Sequence, residues 1–279
     1  MIRRLTSRLL AVFVMVSIVM PGFAQSADRR VEPLLDALGM SELISIMREE
    51  GLSYSADLRE EMFPGRGSDR WTGLVEDIYA PDRMARIVGD QLDQDLQGTD
   101  IAPLLDFFGS APGKRIVSLE ISARRALLDE AVEDATRERW LSENDADDAR
   151  RSALKKFVEV NELVDSNVVG ALNANYAFYL GLADGGALDV DLSEEDMLRD
   201  VWSQEGEIRD ETETWVFSYL SLAYQPLSDD ELAAYTALSE TDEGAALNRA
   251  LFSAFDALFV TISRDLGLAA SQFLSGEDI

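Results

Sequence analysis

Apolar residues recur at three- and four-residue steps through most of the chain. Between residues 71 and 96, those at such steps are Leu74, Ile78, Met84, Ile87, Val88 and Leu92. This period is typical of α-helices that bury one face. No segment has the alternating β-branched residues that are typical of strands. The sequence therefore predicts an all-α fold, a multi-helix bundle of about eight to eleven helices.

Three serine–acid pairs have the spacing of a capping box, in which each side chain bonds the backbone amide of the other residue. They are Ser142 with Asp145, Ser193 with Asp196, and Ser228 with Glu231. We expect a helix to begin after each serine. Segment 184–196 is also rich in acids and glycine, but an EF-hand beginning at 184 would need glycine where Asp189 stands. A loop followed by a helix cap is therefore preferred.

Glycine residues predict breaks between helices. The helical pattern of residues 31–46 should break near Gly39, and the chain should bend at Gly51. One long helix is expected from Gly113 to Leu141. The last long helix is expected over residues 242–273.

The first 24 residues have the three parts of a signal peptide in order. Arg3, Arg4 and Arg8 make a positive start, residues 9–20 are almost wholly apolar, and Ala24 ends a cleavage site of small residues. The apolar run is shorter than the roughly 20 residues of a spanning helix, and no later segment is expected to span. We expect a periplasmic mature chain that is cleaved near Ala24, with an uncleaved anchor as the alternative.

The chain contains no cysteine and no histidine. Disulfides and lipid attachment to cysteine are therefore excluded. The commonest general base, the commonest transition-metal ligand and the thiol nucleophile are missing as well. We therefore expect a non-enzymatic protein with no cofactor and no metal site. A carboxylate-based hydrolase is the remaining enzymatic alternative.

The excess of acidic over basic residues restricts the classes of partner that the protein can bind. The formal net charge is −28, and removal of the three arginines of the signal peptide lowers it to −31. Nucleic acids and anionic lipid surfaces select basic proteins, so both are excluded. A basic protein partner is permitted. The simplest interpretation is that the acids solvate the helix surfaces.

A shift of 131 residues aligns the chain with itself without gaps. Three apolar positions of the first copy, Ile116, Ala123 and Leu127, then fall on Leu247, Ala254 and Leu258. The same shift places Trp71 on Trp202, Gly113 on Gly244, and Asp100 on Glu231. We predict an internal duplication with halves at 28–150 and 160–279. The alternatives are a chance likeness of helical hairpins and one continuous bundle.

The stretch 100–115 combines an acidic–leucine helix, the aromatic pair Phe107 and Phe108, and a Ser-Ala-Pro-Gly-Lys sequence. It resembles the DUF2059 family of exported proteins from Gram-negative bacteria, whose motif ends in Ser-Pro-x-Gly-Lys. Ser110, Gly113 and Lys114 match that motif, with a one-residue departure between the serine and the proline. The resemblance implies a helical, exported protein and no chemistry, because the function of the family is unknown.

The motif also has a structural interpretation, since a serine cap, an early proline and a glycine let one helix follow another closely. The functional alternative is a weak anion site at the start of the long helix, where backbone amides favour negative charge. Its candidate residues are Ser110, Gly113, Lys114 and Arg115.

Four polar residues interrupt the apolar segment 168–182, namely Asn173, Asn175, Tyr176 and Tyr179. They are candidates for a polar pocket, because buried amides need partners. A helix with one edge in water explains them equally, and we prefer it. The four tryptophans, Trp71, Trp140, Trp202 and Trp215, are expected to be packing anchors.

The leading functional hypothesis is an exported helical protein that binds an envelope protein and acts in envelope maintenance. The alternative is a carrier of a small molecule or lipid, with an apolar pocket between the two helical halves. Both follow from the export signal, the helical pattern and the missing catalytic side chains.

Overall fold

A computed structural model describes residues 29–142, 149–188 and 193–274. This part of the chain contains thirteen α-helices and no strand, so the all-α multi-helix prediction is confirmed and the expected number of helices was too low. The signal peptide and the acid of the Ser142–Asp145 pair lie outside the described residues. The helices are α1 (Glu32–Ala37), α2 (Met40–Met62), α3 (Ser68–Ile78), α4 (Pro81–Asp95), α5 (Ala102–Gly109), α6 (Ala111–Ala126), α7 (Glu130–Ser142), α8 (Ala149–Val160), α9 (Leu163–Asp184), α10 (Glu194–Trp202), α11 (Glu205–Tyr224), α12 (Asp229–Ser239) and α13 (Asp242–Leu274).

Helices α9 and α13 form the closest pair in the fold. A Cβ atom at Gly181 would lie 2.1 Å from the carbonyl oxygen of Arg264, and one at Gly267 would lie 2.2 Å from that of Phe178. Nearer the start of α9, Asn173 Nδ2 donates to a carboxylate of α13 at 2.9 Å. The contacting residue numbers rise together along both helices, so the two run parallel. Helices α4, α3 and α12 pack on the other sides of α13.

Helix α13 corrects the expectation that no segment after the signal peptide could span a membrane. By length and composition it is apolar enough to cross a membrane. It is the only such helix in the part that the structure describes. Its buried residues pack mainly against α9 and α4, and 39% of the apolar stretch is buried inside the fold.

Two predicted helix boundaries were wrong. Helix α2 continues through Gly51, where the absent side chain makes room for Tyr79, since a Cβ would lie 2.0 Å from its ring. The long helix expected from Gly113 divides into α6 and α7. The Asp129 carboxylate accepts the backbone N–H of Ala131 at 2.9 Å and so begins the second helix.

Other boundaries agree with the sequence. Gly39 has a φ of 63° and separates α1 from α2, as predicted. Both serine pairs within the described residues form complete capping boxes, with Ser193 at the start of α10 and Ser228 at the start of α12. The predicted helix starts after Ser193 and Ser228 are therefore confirmed.

The turn before α6 recurs before α13, at the predicted shift of 131 residues. Ser110 Oγ accepts the N–H of Gly113 at 3.2 Å, and Thr241 Oγ1 accepts that of Gly244 at 3.0 Å. A Cβ at either glycine would lie about 2 Å from a carbonyl oxygen of the preceding helix. These glycines therefore allow the same tight helix–helix turn. The duplication of whole halves stays a prediction.

The aligned tryptophans do not occupy equivalent surroundings. Trp71 is 2% exposed, whereas Trp202 is 64% exposed. The prediction that Trp202 is a packing anchor is therefore wrong. Trp140 stacks on Phe217 with 4.9 Å between ring centroids, and Trp215 stacks on Tyr219 at 5.0 Å, as expected of anchors.

Candidate functional site

A cleft of about 770 Å³ lies among the described residues. Residues of α2, α6 and α7 line one part of it, and residues of α11 and α13 line the other. The cleft therefore lies between segments from the two predicted halves of the sequence. Such a volume is typical of sites that bind small molecules.

Four aromatic side chains, three from helices and one from the residue after α3, form an apolar wall of the cleft. They are Tyr54, Tyr79, Trp215 and Phe259. Burial raises the pKa of the Tyr54 phenol above its ordinary value, and the charge of Glu61 adds to this effect. Burial likewise raises the pKa of Tyr79. Both phenols are therefore neutral at physiological pH, and they present rings and hydroxyl groups rather than charge.

Carboxylates dominate the polar part of the lining. There are eight of them, against two arginines. The acids come from α2, α7 and α11, and they are Glu49, Glu50, Asp57, Glu130, Glu133, Asp134, Glu207 and Glu211. The cleft is thus strongly acidic as well as aromatic.

Both arginines of the lining form ion pairs with acids of the lining. Arg124, whose side chain is 2% exposed, donates from Nε and Nη2 to the two oxygens of Glu50 at 2.9 and 2.6 Å. Arg137 donates to the two oxygens of Glu211 at 2.8 and 3.0 Å. Such two-point pairs hold both partners in a fixed geometry. They brace α6 against α2, and α7 against α11.

The chain matches no protein-family model, no curated protein sequence and no solved structure. The resemblance to the DUF2059 family therefore stays an expectation from the motif at 100–115.

The residues of the predicted anion site are largely engaged within the fold. Ser110 Oγ caps α6 and also donates to the Phe107 carbonyl at 2.6 Å. Arg115 forms an ion pair with Glu231 at 3.1 Å and so ties α6 to α12, while Lys114 is exposed on α6. The contacts support the structural interpretation of the motif, and the anion site stays a prediction.

The four candidate pocket residues of α9 have separate surroundings, and none of them lines the cleft. The hydroxyls of Tyr176 and Tyr179 donate to Glu194 and Asp200 of α10, both at 2.6 Å. Asn173 is exposed and bonds Asp256 of α13. Asn175 is 1% exposed, and its two polar atoms find no hydrogen-bond partner in the described ranges. A shared polar pocket on this helix stays a prediction.

Sequence reasoning missed the cleft because its acids come from distant segments. Within α7, however, Glu130, Asp134 and Arg137 recur at three- and four-residue steps, which places them on one helix face. This charged face of α7 was the sequence feature that could have indicated the cleft. Glu207 is brought near this face by the packing of α11 against α7, and no local sequence pattern specifies that packing.

The acids of the cleft do not form a metal site by geometry. No group of three or more acidic side chains is arranged to hold a metal ion in residues 29–142, 149–188 and 193–274. Adjacent Glu49 and Glu50 use different partners, Arg125 and Arg124 respectively. What the arrangement offers is a negative rim beside an aromatic wall.

Proposed function

We propose that the mature chain is an exported, non-enzymatic binding protein that holds a small molecule in the cleft between α2, α7 and α11. The observation that supports this function is the cavity of about 770 Å³ with a wall of four aromatic side chains. A concave, partly apolar site with a few polar groups is the usual form of a small-molecule site. The position of the cleft agrees with the carrier hypothesis drawn from the sequence.

The lining differs from the apolar pocket which that hypothesis expected. Eight carboxylates in the lining would leave a lipid chain beside charged groups, which is unfavourable. We therefore favour a polar or charged small molecule over a lipid. Its apolar part would pack against the rings, and its polar part would lie at the rim.

Native mass spectrometry of the chain purified from a periplasmic fraction tests the proposal. We expect the wild-type protein to retain a small molecule as a discrete mass increment. Ser53 is exposed and lines the cleft, so Ser53→Trp should fill the site and abolish the increment. Ser122→Trp, at an exposed position of α6 outside the lining, is the matched control and should keep it.

A clean apo mass for the wild type would contradict the proposal. So would an increment that Ser53→Trp retains, because the molecule would then bind elsewhere. Circular dichroism of both variants provides the check that the helical fold is intact.

An envelope protein partner is the second candidate function. Leu198 and Trp202 lie one turn apart on α10, and their exposed fractions are 39% and 64%. An exposed aromatic–aliphatic pair of this kind is enriched in protein interfaces. If it binds a partner, Trp202→Ala should abolish capture of that partner from envelope extract, whereas Ser53→Trp should not.

The carboxylate-based hydrolase is the least favoured hypothesis. The cleft brings together acids from three helices, but the chain supplies neither a histidine nor a cysteine to assist them.

A further inference from the structure

The cleft has a surplus of negative charge that the fold leaves uncompensated. Its two arginines each pair with one acid of the lining, and Glu49 pairs with Arg125 outside it. Three other acids of the lining, Glu130, Asp134 and Glu207, form neither an ion pair nor a hydrogen bond within the described part of the chain. Asp134 also interacts with Arg137, whose pKa its charge helps to raise, so that guanidinium offsets part of this charge.

These three acids come from two neighbouring helices. Glu130 and Asp134 are one turn apart on α7, and Glu207 lies in the first turns of α11, which packs against α7. All three are exposed. Like charges at this spacing repel each other. A cation between the two helices would relieve the repulsion and gain attraction from both.

The aromatic wall of the cleft also favours a cation. The face of an indole or phenol ring attracts cations, and indole does so most strongly. Trp215 lines the cleft and is partly exposed, while Tyr219 stacks against it with an interplanar angle of 11°. That stacking fixes the plane of the indole. An organic cation would therefore meet a rigid ring beside the carboxylates.

A simple metal ion does not satisfy both features. The described acids include no cluster that could hold a metal ion, and a hydrated metal ion would leave the aromatic wall unused. A cavity of about 770 Å³ is also far larger than a metal ion requires. The occupant must combine positive charge with apolar surface.

We propose that the cleft binds a small organic cation, an ammonium compound with an apolar or aromatic group. The ammonium lies among Glu130, Asp134 and Glu207, and the apolar group packs against Trp215 and Tyr54. This inference rests on the proposed binding function and adds the chemical class of the ligand. The arginine pairs keep the helices of the rim at their spacing, and the remaining acids select the charge.

Isothermal titration of the full mature chain with three probes of equal chain length tests the charge class. The probes are octyltrimethylammonium, octyl glucoside and octyl sulfate, each below its micellar concentration. We expect saturable binding of the cation, at least about tenfold weaker binding of the neutral glucoside, and none of the sulfate. Quenching of Trp215 fluorescence by the cation, lost in Trp215→Phe, would place the probe in the cleft.

Two variants that each remove three negative charges test which acids bind the cation. Glu130→Gln/Asp134→Asn/Glu207→Gln should weaken the cation about tenfold or more and reduce its salt dependence. Glu76→Gln/Asp106→Asn/Glu159→Gln removes three exposed acids outside the lining and should change its affinity less than twofold. Equal losses in the two variants would overturn the assignment, because net charge alone would then explain the binding.

The two proposals fail in different ways. If the glucoside or the sulfate binds as tightly as the cation and Ser53→Trp abolishes that binding, the cation class is wrong and the cleft remains the binding site. If Ser53→Trp leaves binding of the cation unchanged, the cleft itself is wrong as the site. Retention of the helical circular dichroism signal in every variant excludes unfolding as the cause.

Discussion

At the scale of single residues, Trp71 and Trp202 provide a matched test of burial. Trp71 is 2% exposed, donates from Nε1 to the Ser55 carbonyl at 2.8 Å, and contacts Phe63 edge to face. Trp202 is 64% exposed. Trp71→Ala should lower the free energy of unfolding by about 3–5 kcal/mol, and Trp202→Ala should change it by less than about 0.5 kcal/mol. Urea unfolding at pH 7 measures both, and similar costs would contradict the assignment.

Glu120 is the residue whose charge should control the pH dependence of stability. It is fully buried, Tyr224 donates to its Oε1 at 2.5 Å, and its Oε2 has no partner among the described residues. Burial raises the pKa of this carboxyl well above its ordinary value of 4.5, and the Tyr224 hydrogen bond opposes that rise only in part. The folded state therefore holds the proton more tightly than the unfolded chain does.

The free energy of unfolding should then fall as the pH rises from about 4.5 through the folded pKa, by up to about 1.4 kcal/mol per pH unit from this group. Glu120→Gln is neutral at every pH, so it should remove that slope and be more stable than the wild type at pH 8. Urea unfolding at pH 5 and pH 8 measures the difference. Exposed Glu159→Gln is the control and should keep the wild-type slope.

At the scale of helices, the close approach of α9 and α13 depends on glycine. A Cβ at Gly181 would lie 2.1 Å from a backbone carbonyl oxygen, which cannot move aside as a side chain can. On the same helix, a Cβ at Gly170 would meet only Asp256 Oδ1, at 4.0 Å. Gly181→Ala should therefore destabilise the fold by about 1–3 kcal/mol. Gly170→Ala should stabilise it by up to about 1 kcal/mol through helix propensity.

Thermal unfolding of the two glycine variants measures this contrast. Because both substitutions add one methyl group to the same helix, propensity alone would give them the same sign. A stabilising Gly181→Ala would show that the two helices can separate at little cost. The tight α9–α13 contact would then not be required for stability.

Helix boundaries show which parts of the fold were accessible to sequence reasoning. Capping boxes at Ser193 and Ser228 were predicted, because capping needs only residues three positions apart. Gly51 was wrongly expected to bend the chain. A glycine can mark either a bend in the backbone or a close contact with a neighbour. At Gly51 the neighbour is the Tyr79 ring, so close packing explains this glycine. That neighbour comes from another helix, so the local sequence does not contain it.

At the scale of the whole molecule, the cleft depends on contacts between distant segments. The shift of 131 residues aligned the turns at Gly113 and Gly244, in each of which a Ser or Thr hydroxyl accepts the glycine N–H, because a tight turn has a local signature. The cavity arises where α2 and α7 face α11, and the ion pairs that hold it join residues 74 positions apart. An acidic stripe on α7 was visible in the sequence, whereas its aromatic counterpart Trp215 was placed only as an anchor.

The signal peptide should be cleaved on export, and α13 should remain packed in the fold rather than span the membrane. The chain expressed with its own N-terminus should yield a mature protein beginning at Gln25, found in the periplasmic soluble fraction after alkaline extraction of membranes. Helix α13 satisfies the length of a spanning helix, but spanning would separate it from α9 and break the contacts of Asp256 and Arg264 with that helix. Charged residues near the centre of a spanning helix also cost about 2.5–3.5 kcal/mol each.

Intact mass and cell fractionation measure the two parts separately. Ala24→Arg should block cleavage near that position and leave a heavier, membrane-bound precursor, since the apolar segment at 9–20 would remain attached. Recovery of a cleaved chain in the extracted membrane pellet would contradict the location, because only α13 among the described helices is long and apolar enough to retain it. If α13 stays packed on α9, the cleaved chain should instead be found in the soluble fraction.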